Sequence, residues 1–392
     1  MRLPMVSRRA LADVARVRYV HADSALKAKI LDEFVANTGY HRKYAIRLIK
    51  HPPEPRPKER RHRGRTYAAG LVQALVFIWQ VCGQICSRRL KPFLPTMATL
   101  LVQLGHLRLT DEERWLLVKV SRTTIDRLLG PVRRQQRPHG RSTTKPGSLL
   151  KKAIPVHASS DWREDRPGFL EIDLVAHCGE KTMGDYLCTL DAIDLATGWS
   201  ECIVPANRGQ HAVCEALKTL RKRLPFPLQG VDSDNDGSFI NELPFGYCQT
   251  ERIAFTRCRP YKKNDQAHIE QKNWSIVRQQ IGYDRYETEA SGVLNAFWQE
   301  FRSYTNFFQP VLKLKEKTHV DGKVKKVYDE AQTPYQRVMA SPHVIQTDKE
   351  RLSQLFVSLD PVLLKRSLDQ RLQIIWERYR ARFPNEATNP SK

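Results

Sequence analysis

Two stretches poor in apolar residues, 51–65 and 133–165, divide this chain into segments and limit what each can build. The first is rich in proline and arginine: its prolines stiffen it, and its arginines suit the phosphates of a nucleic acid. The second, rich in Arg, Lys, Ser and Gly, has too little apolar content for a core. The apolar period differs on the two sides of this second linker. Before it the period is helical. From 169 onward, the runs 169–179, 186–196 and 199–206 read as strands rich in Ile, Leu, Val and Cys, joined by short turns such as Ala196-Thr-Gly198. A helix over 211–224, strands over 228–233 and 253–258, and a helix over 265–282 ending at Gly282 follow. Three strands and then alternating helices and strands predict a mixed α/β domain at 166–310.

The N-terminal segments read as all-α. In 1–50, Leu26, Ile30, Leu31 and Phe34 form an apolar helical stripe that Asn37-Thr38-Gly39 ends. A second helix offers Tyr44, Ala45, Leu48 and Ile49 for packing and carries Arg42, Lys43, Arg47 and Lys50 on its other face. That is the pattern of a helix-turn-helix whose second helix enters the major groove; an ordinary helical hairpin with a solvated basic face is the alternative. Residues 66–132 read as a second helix-turn-helix-like domain. Thr110 and Glu113 form a capping box, and Ser121 caps a helix from Arg122 to Leu129 that Gly130-Pro131 should stop. Arg122, Thr123 and Thr124 at that helix start suit contacts to phosphates and base edges. The C-terminal region, 311–392, reads as a lysine-rich hairpin turning at Asp321-Gly322, followed by helices over 346–382 with Asp360-Pro361 opening the last one.

With 65 basic and 42 acidic residues, the formal charge of +23 favours a polyanionic partner. No apolar run approaches the roughly 20 residues of a spanning helix, and the N-terminus lacks a signal-peptide core, so a cytoplasmic, nucleoid-associated protein is expected. Eight scattered cysteines without a Cys-x-x-Cys pair read as reduced core thiols.

Three acids carry the chemistry. Asp173 sits in the run Phe169 to Val175, on the face opposite Leu170, Ile172 and Leu174. Asp234 follows the strand ending at Ser233, with Asp232 and Asp236 as close competitors. Glu270 lies early in a helix, with Lys262, Lys263, Lys272 and Asn273 nearby to meet DNA phosphates. A carboxylate in so apolar a strand as that of Asp173 needs a cation or donors. Two acids at strand ends and one on a later helix can converge, and three carboxylates can hold two divalent metals for in-line phosphoryl displacement. Asp191, Asp194 and Glu201 read as turn or pairing residues.

The motifs Glu171-Ile-Asp173, Asp191-Ala-Ile-Asp-Leu-Ala-Thr-Gly-Trp199, Asp232-Ser-Asp-Asn-Asp-Gly-Ser-Phe-Ile-Asn241 and Lys263-Asn-Asp-Gln-Ala-His-Ile-Glu-Gln-Lys-Asn273 together resemble the integrase catalytic core of insertion-sequence transposases. Tyr304 to Leu314 and Thr333 to Arg337 add to the likeness, which covers under half the chain. The resemblance implies an RNase H-like core and a catalytic, metal-binding triad of Asp173, Asp234 and Glu270 with two Mg2+ or Mn2+ ions. It also implies double-stranded DNA partners, namely element terminal repeats and target DNA, and a homo-oligomer on DNA. The expected activity is strand cleavage and strand transfer; the alternative is a domesticated, inactive transposase that binds specific DNA. The second motif departs from the family's Asp-Asn-Gly-Ser-Glu-Phe: Asp236 and Gly237 intrude, and no acid precedes Phe239. The zinc-binding His/Cys domain of retroviral integrases is absent from the sequence.

Overall fold

The computed structural model describes residues 4–51, 67–136, 166–179, 183–233, 242–257, 273–320 and 323–382. The chain divides into two compact units, 1–66 and 67–392.

The first unit holds α1 (Met5–Val20), α2 (Ser24–Thr38) and α3 (Arg42–Lys50). Asp23 caps α2 by accepting from the Leu26 N–H at 2.7 Å. Gly39, at φ 69°, ends it in the left-handed conformation, its N–H donating to the Val35 carbonyl. Ile30, Leu31 and Phe34 are buried with Ala45 and Ile49, but Leu26 is 45% exposed and falls outside the stripe expected of it. Tyr44 is likewise exposed, set edge-on to Tyr40. Helix α1 carries no apolar stripe legible in the sequence, because it buries Ala12 and Ala15 while Leu11, Val14, Val17 and Val20 face outward. The Arg16 guanidinium donates to the Leu48 and Ile49 carbonyls, satisfying the C-terminal end of α3.

In the second unit, α4 (Ala69–Val81), α5 (Ser87–Gln103), α6 (Asp111–Lys119) and α7 (Arg122–Gln136) pack together. The capping box at Thr110 and Glu113 forms as expected. The expected stop at Gly130-Pro131 does not: α7 continues through Pro131 to Gln136. Pro131 removes one backbone donor, yet the last turns are held from the side. Leu129 is fully buried, and Arg133 bonds Asp126 at 2.8 Å while lying over the Trp79 ring. Similarly, α5 accommodates Pro92 and Pro95.

The strands β1 (Phe169–Ala176), β2 (Cys188–Asp194), β3 (Ser200–Ile203), β4 (Gly230–Ser233) and β5 (Ala254–Arg257) form one mixed sheet in the order β3-β2-β1-β4-β5. β1 to β3 form an antiparallel meander; β4 and β5 run parallel to β1. Parallel neighbours require crossovers, which α8 (Gln210–Arg223) and α9 (Glu242–Thr250) supply. The mixed α/β expectation therefore holds, with β1 to β4 shorter than their apolar runs suggested. Gly168, at φ 115°, enters β1 so close to the Pro227 carbonyl that a side chain there would overlap it.

The edge strand β3 is closed by the helix Ser291–Phe308. Its Asn306 accepts from the Ser200 N–H at 2.9 Å and donates to the Ser200 carbonyl at 2.8 Å. Asn295 does the same for Val204, at 2.9 and 3.0 Å. Two side-chain amides thus replace a neighbouring strand. The same helix buries Phe297, Trp298, Phe307 and Phe308, and Tyr304 donates to the Val81 carbonyl at 2.8 Å, tying α4 to the sheet's flank. One continuous buried cluster includes Leu75, Leu94 and Leu101 of the helical segment and Leu170, Leu190 and Val231 of the sheet.

Beyond it, the expected hairpin is present as β6 (Leu314–Val320) paired antiparallel with β7 (Lys323–Tyr328); its turn, 321–322, lies outside the described residues. Helices Gln346–Ser358 and Pro361–Arg382 follow. Asp360 caps the latter through the Val362 and Leu363 N–H groups and bonds His106 at 2.6 Å. Among the described residues, no helix is long and apolar enough to cross a membrane.

Candidate active site

Strand pairing decides which side chains share a face, because directly opposed residues point the same way. One row across the sheet reads Cys202 (β3), Asp191 (β2), Asp173 (β1). The next reads Ser200, Ile193, Glu171, Asp232 (β4), Thr256 (β5). The two rows lie two residues apart along β1, so Glu171, Asp173, Asp191 and Asp232 occupy a single face. The other face presents Leu170, Ile172, Leu190 and Val231, all buried.

Four carboxylates on one face of a sheet repel, particularly Asp173 and Asp191, whose Cα atoms as direct partners lie about 4.5–5.5 Å apart. Donors temper this. Asp173 accepts from its neighbour's N–H, that of Leu174, at 2.7 Å. Asp191, fully buried, accepts from the Cys202 thiol at 3.5 Å. Asp232 accepts from the Thr256 hydroxyl at 2.5 Å. Glu171 is 2% exposed, whereas Asp173 and Asp232 are only half-buried. Asp173 is thus the acid of β1 that the sheet leaves accessible.

β4 ends, as described, at Ser233, which pairs with Ile172. Asp234 is its chain neighbour; Asp234 and Glu270 lie outside the described residues, as do Lys262, Lys263 and Lys272. The described residues resume at Asn273 in a π-helix, Asn273–Arg278, that runs into an α-turn, Gln279–Ile281, and ends at Gly282 as expected. It packs on β1 and β2, and the Arg278 guanidinium donates to the Ala176 carbonyl at 2.8 Å. π-Helical turns are rare and cluster at functional sites. Among the described residues, no group of three or more His, Cys, Asp and Glu side chains is arranged to hold a metal.

The sheet's other polar groups are structural. Asp194 is a turn residue, as its sequence suggested. It accepts from the N–H of Gly168 and from the N–H and hydroxyl of Thr197, yet burial raises its pKa to about 6. Glu201 is buried against Arg302, with oxygen–nitrogen distances of 2.8–3.0 Å, and accepts from the Trp199 indole. Burial pushes its pKa up and Arg302 opposes the rise. His177 bonds the Thr189 hydroxyl at 2.7 Å; burial, then the Arg278 charge, lowers its pKa to about 3. Asp191 reads as a pairing residue in the sequence, and it does pair, but directly opposite Asp173. The signal was the antiparallel alternation of the first two strands, which fixes that partnership only once register is known.

Of the residues expected to meet DNA, Arg42, Lys43 and Arg47 are exposed on α3, with Arg42 ion-paired to Asp32. Arg122 and Thr123 are exposed at the start of α7. Thr124 is half-buried, its N–H and hydroxyl both engaged by the capping Ser121. Of the cysteines, Cys82, Cys188, Cys202, Cys214 and Cys248 are buried free thiols, whereas Cys86 is exposed and is no core residue.

The chain is 41% identical over 337 residues to the "uncharacterized protein y4rM" of Sinorhizobium fredii (strain NBRC 101917 / NGR234), covering 86% of this chain and 96% of that protein. No protein-family model matches. Among solved structures, the catalytic core domain of BIV integrase aligns at 15% identity and TM-score 0.30, covering 45% of this chain and 96% of that one. The HTLV-2 integrase catalytic core domain in complex with magnesium aligns at 12% identity and TM-score 0.29, covering 38% and 93%.

Proposed function

The chain belongs to the family of the y4rM protein, and we propose that it is a DNA transposase that binds the ends of a mobile element and cuts and joins DNA strands with an Asp173, Asp234, Glu270 triad. The observation that carries this reading is the register of β1 and β4. Ile172 pairs with Ser233, so the next residue along each parallel strand is an acid, Asp173 on one and Asp234 on the other. Chain connectivity holds the Asp234 Cα within about 3.8 Å of that of Ser233. The described helical turn Asn273–Arg278, three residues after Glu270 in the sequence, packs on β1 and β2, which supports Glu270 as the third acid. Asp232 is drawn to Thr256 and favours an orienting role over a place in the triad.

The donor set is all carboxylate oxygen, which suits a hard cation such as Mg2+ or Mn2+. Bound there, a divalent pair would supply Lewis-acid stabilisation and an activated water or 3′-hydroxyl. The chain's own work is positioning. The Leu174 N–H fixes the rotamer of Asp173, the Asp191 and Glu171 carboxylates add negative field that favours cation binding, and the sheet beneath excludes water. Residues 1–50 and 66–132 would bind the element's ends as helix-turn-helix domains, with α3 and the start of α7 in the major groove. Lys262, Lys263, Lys272 and Asn273 would meet phosphates beside the triad.

Asp173→Asn, Asp234→Asn and Glu270→Gln should each abolish Mg2+-dependent nicking and joining of DNA carrying the element's ends, while end binding in mobility shifts persists. Asp236→Asn should lower activity modestly. Total loss at 236 with slight loss at 234 would move the triad by two residues. Full activity in Glu270→Gln would leave the DNA-binding reading in its place.

A further inference from the structure

The β6–β7 hairpin is a sheet of its own, with no third strand among the described residues. Two-stranded hairpins are marginal without support, and this one is supported at its root. There Val311 and Gln332 exchange backbone bonds at 2.8 and 3.2 Å. Asp329 accepts from the Lys313 N–H and from Arg337, each at 2.7 Å. The Lys313 ammonium donates to the Ala196 carbonyl at 2.9 Å, and the Arg88 guanidinium lies 4.8 Å over the Tyr328 ring.

Away from the root, the ribbon is built against its own stability. Lys315, Lys325 and Lys326 are exposed, Lys317 is the register partner of Lys326, and Glu316 is the only acid on the two strands. Opposed like charges destabilise a hairpin. Leu314, Val324 and Val327 are exposed at 44%, 49% and 37%, so the ribbon offers methyl groups among its cations.

We propose that this hairpin is a β-ribbon that lies in the major groove of duplex DNA, with the face carrying Val324 toward base edges and exposed lysines on the flanking phosphates. The proposal rests on the DNA-processing reading above. The groove, about 12 Å wide, admits a two-stranded ribbon, and thymine methyls are natural partners for valine. A dense polyanion would neutralise the charges of Lys315, Lys325 and Lys326, which the ribbon leaves exposed. A-form RNA closes its major groove to side chains, so the ribbon discriminates between the two duplexes. The root also sets its reach. Ala196 belongs to the β2–β3 turn, where the Leu195 N–H bonds the Phe169 carbonyl at the start of β1. Asp173 lies four residues along that strand, about 13 Å from Phe169, so the root of the ribbon is anchored on the sheet that carries the acidic face.

The test uses the full chain and a fluorescent duplex DNA, with affinity followed by anisotropy between about 50 and 200 mM salt. Lys325→Ala/Lys326→Ala should reduce the slope of log affinity against log salt by about 2, near 0.9 for each phosphate left without its lysine. It should also narrow the wild-type preference for duplex DNA over duplex RNA. Lys218→Ala/Lys222→Ala on α8 removes the same charge and should leave both unchanged. An unaltered slope in the ribbon variant, or an equal fall in the α8 variant, overturns the ribbon proposal. So does wild-type protein that binds RNA duplex as tightly as DNA. Wild-type protein that binds no duplex DNA at any salt overturns the transposase reading itself.

Discussion

Replacing Asn306 should cost this protein more stability than its size suggests, because the residue stands in for a strand. Ser200 is 1% exposed, and its N–H and carbonyl both find their partner in the Asn306 amide. Asn306→Ala leaves one buried donor and one buried acceptor unsatisfied, at about 1–3 kcal/mol each, or about 2–6 kcal/mol together. Asn295→Ala exposes the same pair of groups on Val204, but Asn295 is only half-buried and water can enter, so about 1–2 kcal/mol is expected. The two asparagines are about three helical turns apart, some 16 Å along the axis, so their effects should add. Urea unfolding reads the free energies, and amide exchange at Ser200 should accelerate in the Asn306 variant alone. Asn306→Leu separates hydrogen bonding from packing, since it fills the space without the amide. Leucine restoring wild-type stability would refute the strand-replacement argument, and so would a loss below about 1 kcal/mol in Asn306→Ala.

Two buried groups should give opposite pH slopes. Asp194, raised from 3.8 to about 6, binds its proton more tightly when folded, so its contribution is largest below about pH 4 and falls by about 3 kcal/mol as pH rises to about 6. His177, lowered from 6.5 to about 3, stays neutral when folded, so its contribution is present above pH 6.5 and lost as pH falls toward 3. Urea unfolding across this window should therefore tilt one way in Asp194→Asn and the other in His177→Gln; parallel profiles would contradict both. Gly168→Ala should destabilise by more than about 1 kcal/mol, read in the same assay, because its φ is left-handed and its Cβ meets the Pro227 carbonyl. Brief alkylation at neutral pH with peptide mapping should label the exposed Cys86 well before Cys82, whose thiol burial pushes up to about 12; equal labelling would contradict the packing of α4 and α5.

The elements legible in the sequence are those whose signals are local. Thr110 and Glu113 stand three residues apart and report on their own turn; Asp360 before Pro361 does the same, and so do the alternating strands of the meander. What misled was context. Pro131 reads as a stop, yet Arg133 on Asp126 and Trp79 holds the helix beyond it. Helix α1 escaped notice because alanine, with little apolar area, makes its buried stripe. The edge-capping role of Asn295 and Asn306 needs a partner about a hundred residues away, and no period announces it.

The candidate site divides along the same line. That Asp173 shares a face with Glu171 follows from strand alternation alone. That Asp191 stands directly opposite Asp173 requires the β1–β2 register, and that Asp234 follows the residue paired with Ile172 requires the parallel β1–β4 register. A shift of one residue in the β1–β2 pairing would send Asp191 to the face of Leu170, Ile172 and Val231, and one in the β1–β4 pairing would send Asp232 to the face of Leu170 and Ile172, where a carboxylate could not be solvated. Core packing and acid placement therefore impose the same register. The apolar residues of β1 and β4 gain burial only in the alignment that also brings the acids together, so the hydrophobic alternation that folds the sheet is what positions its carboxylates.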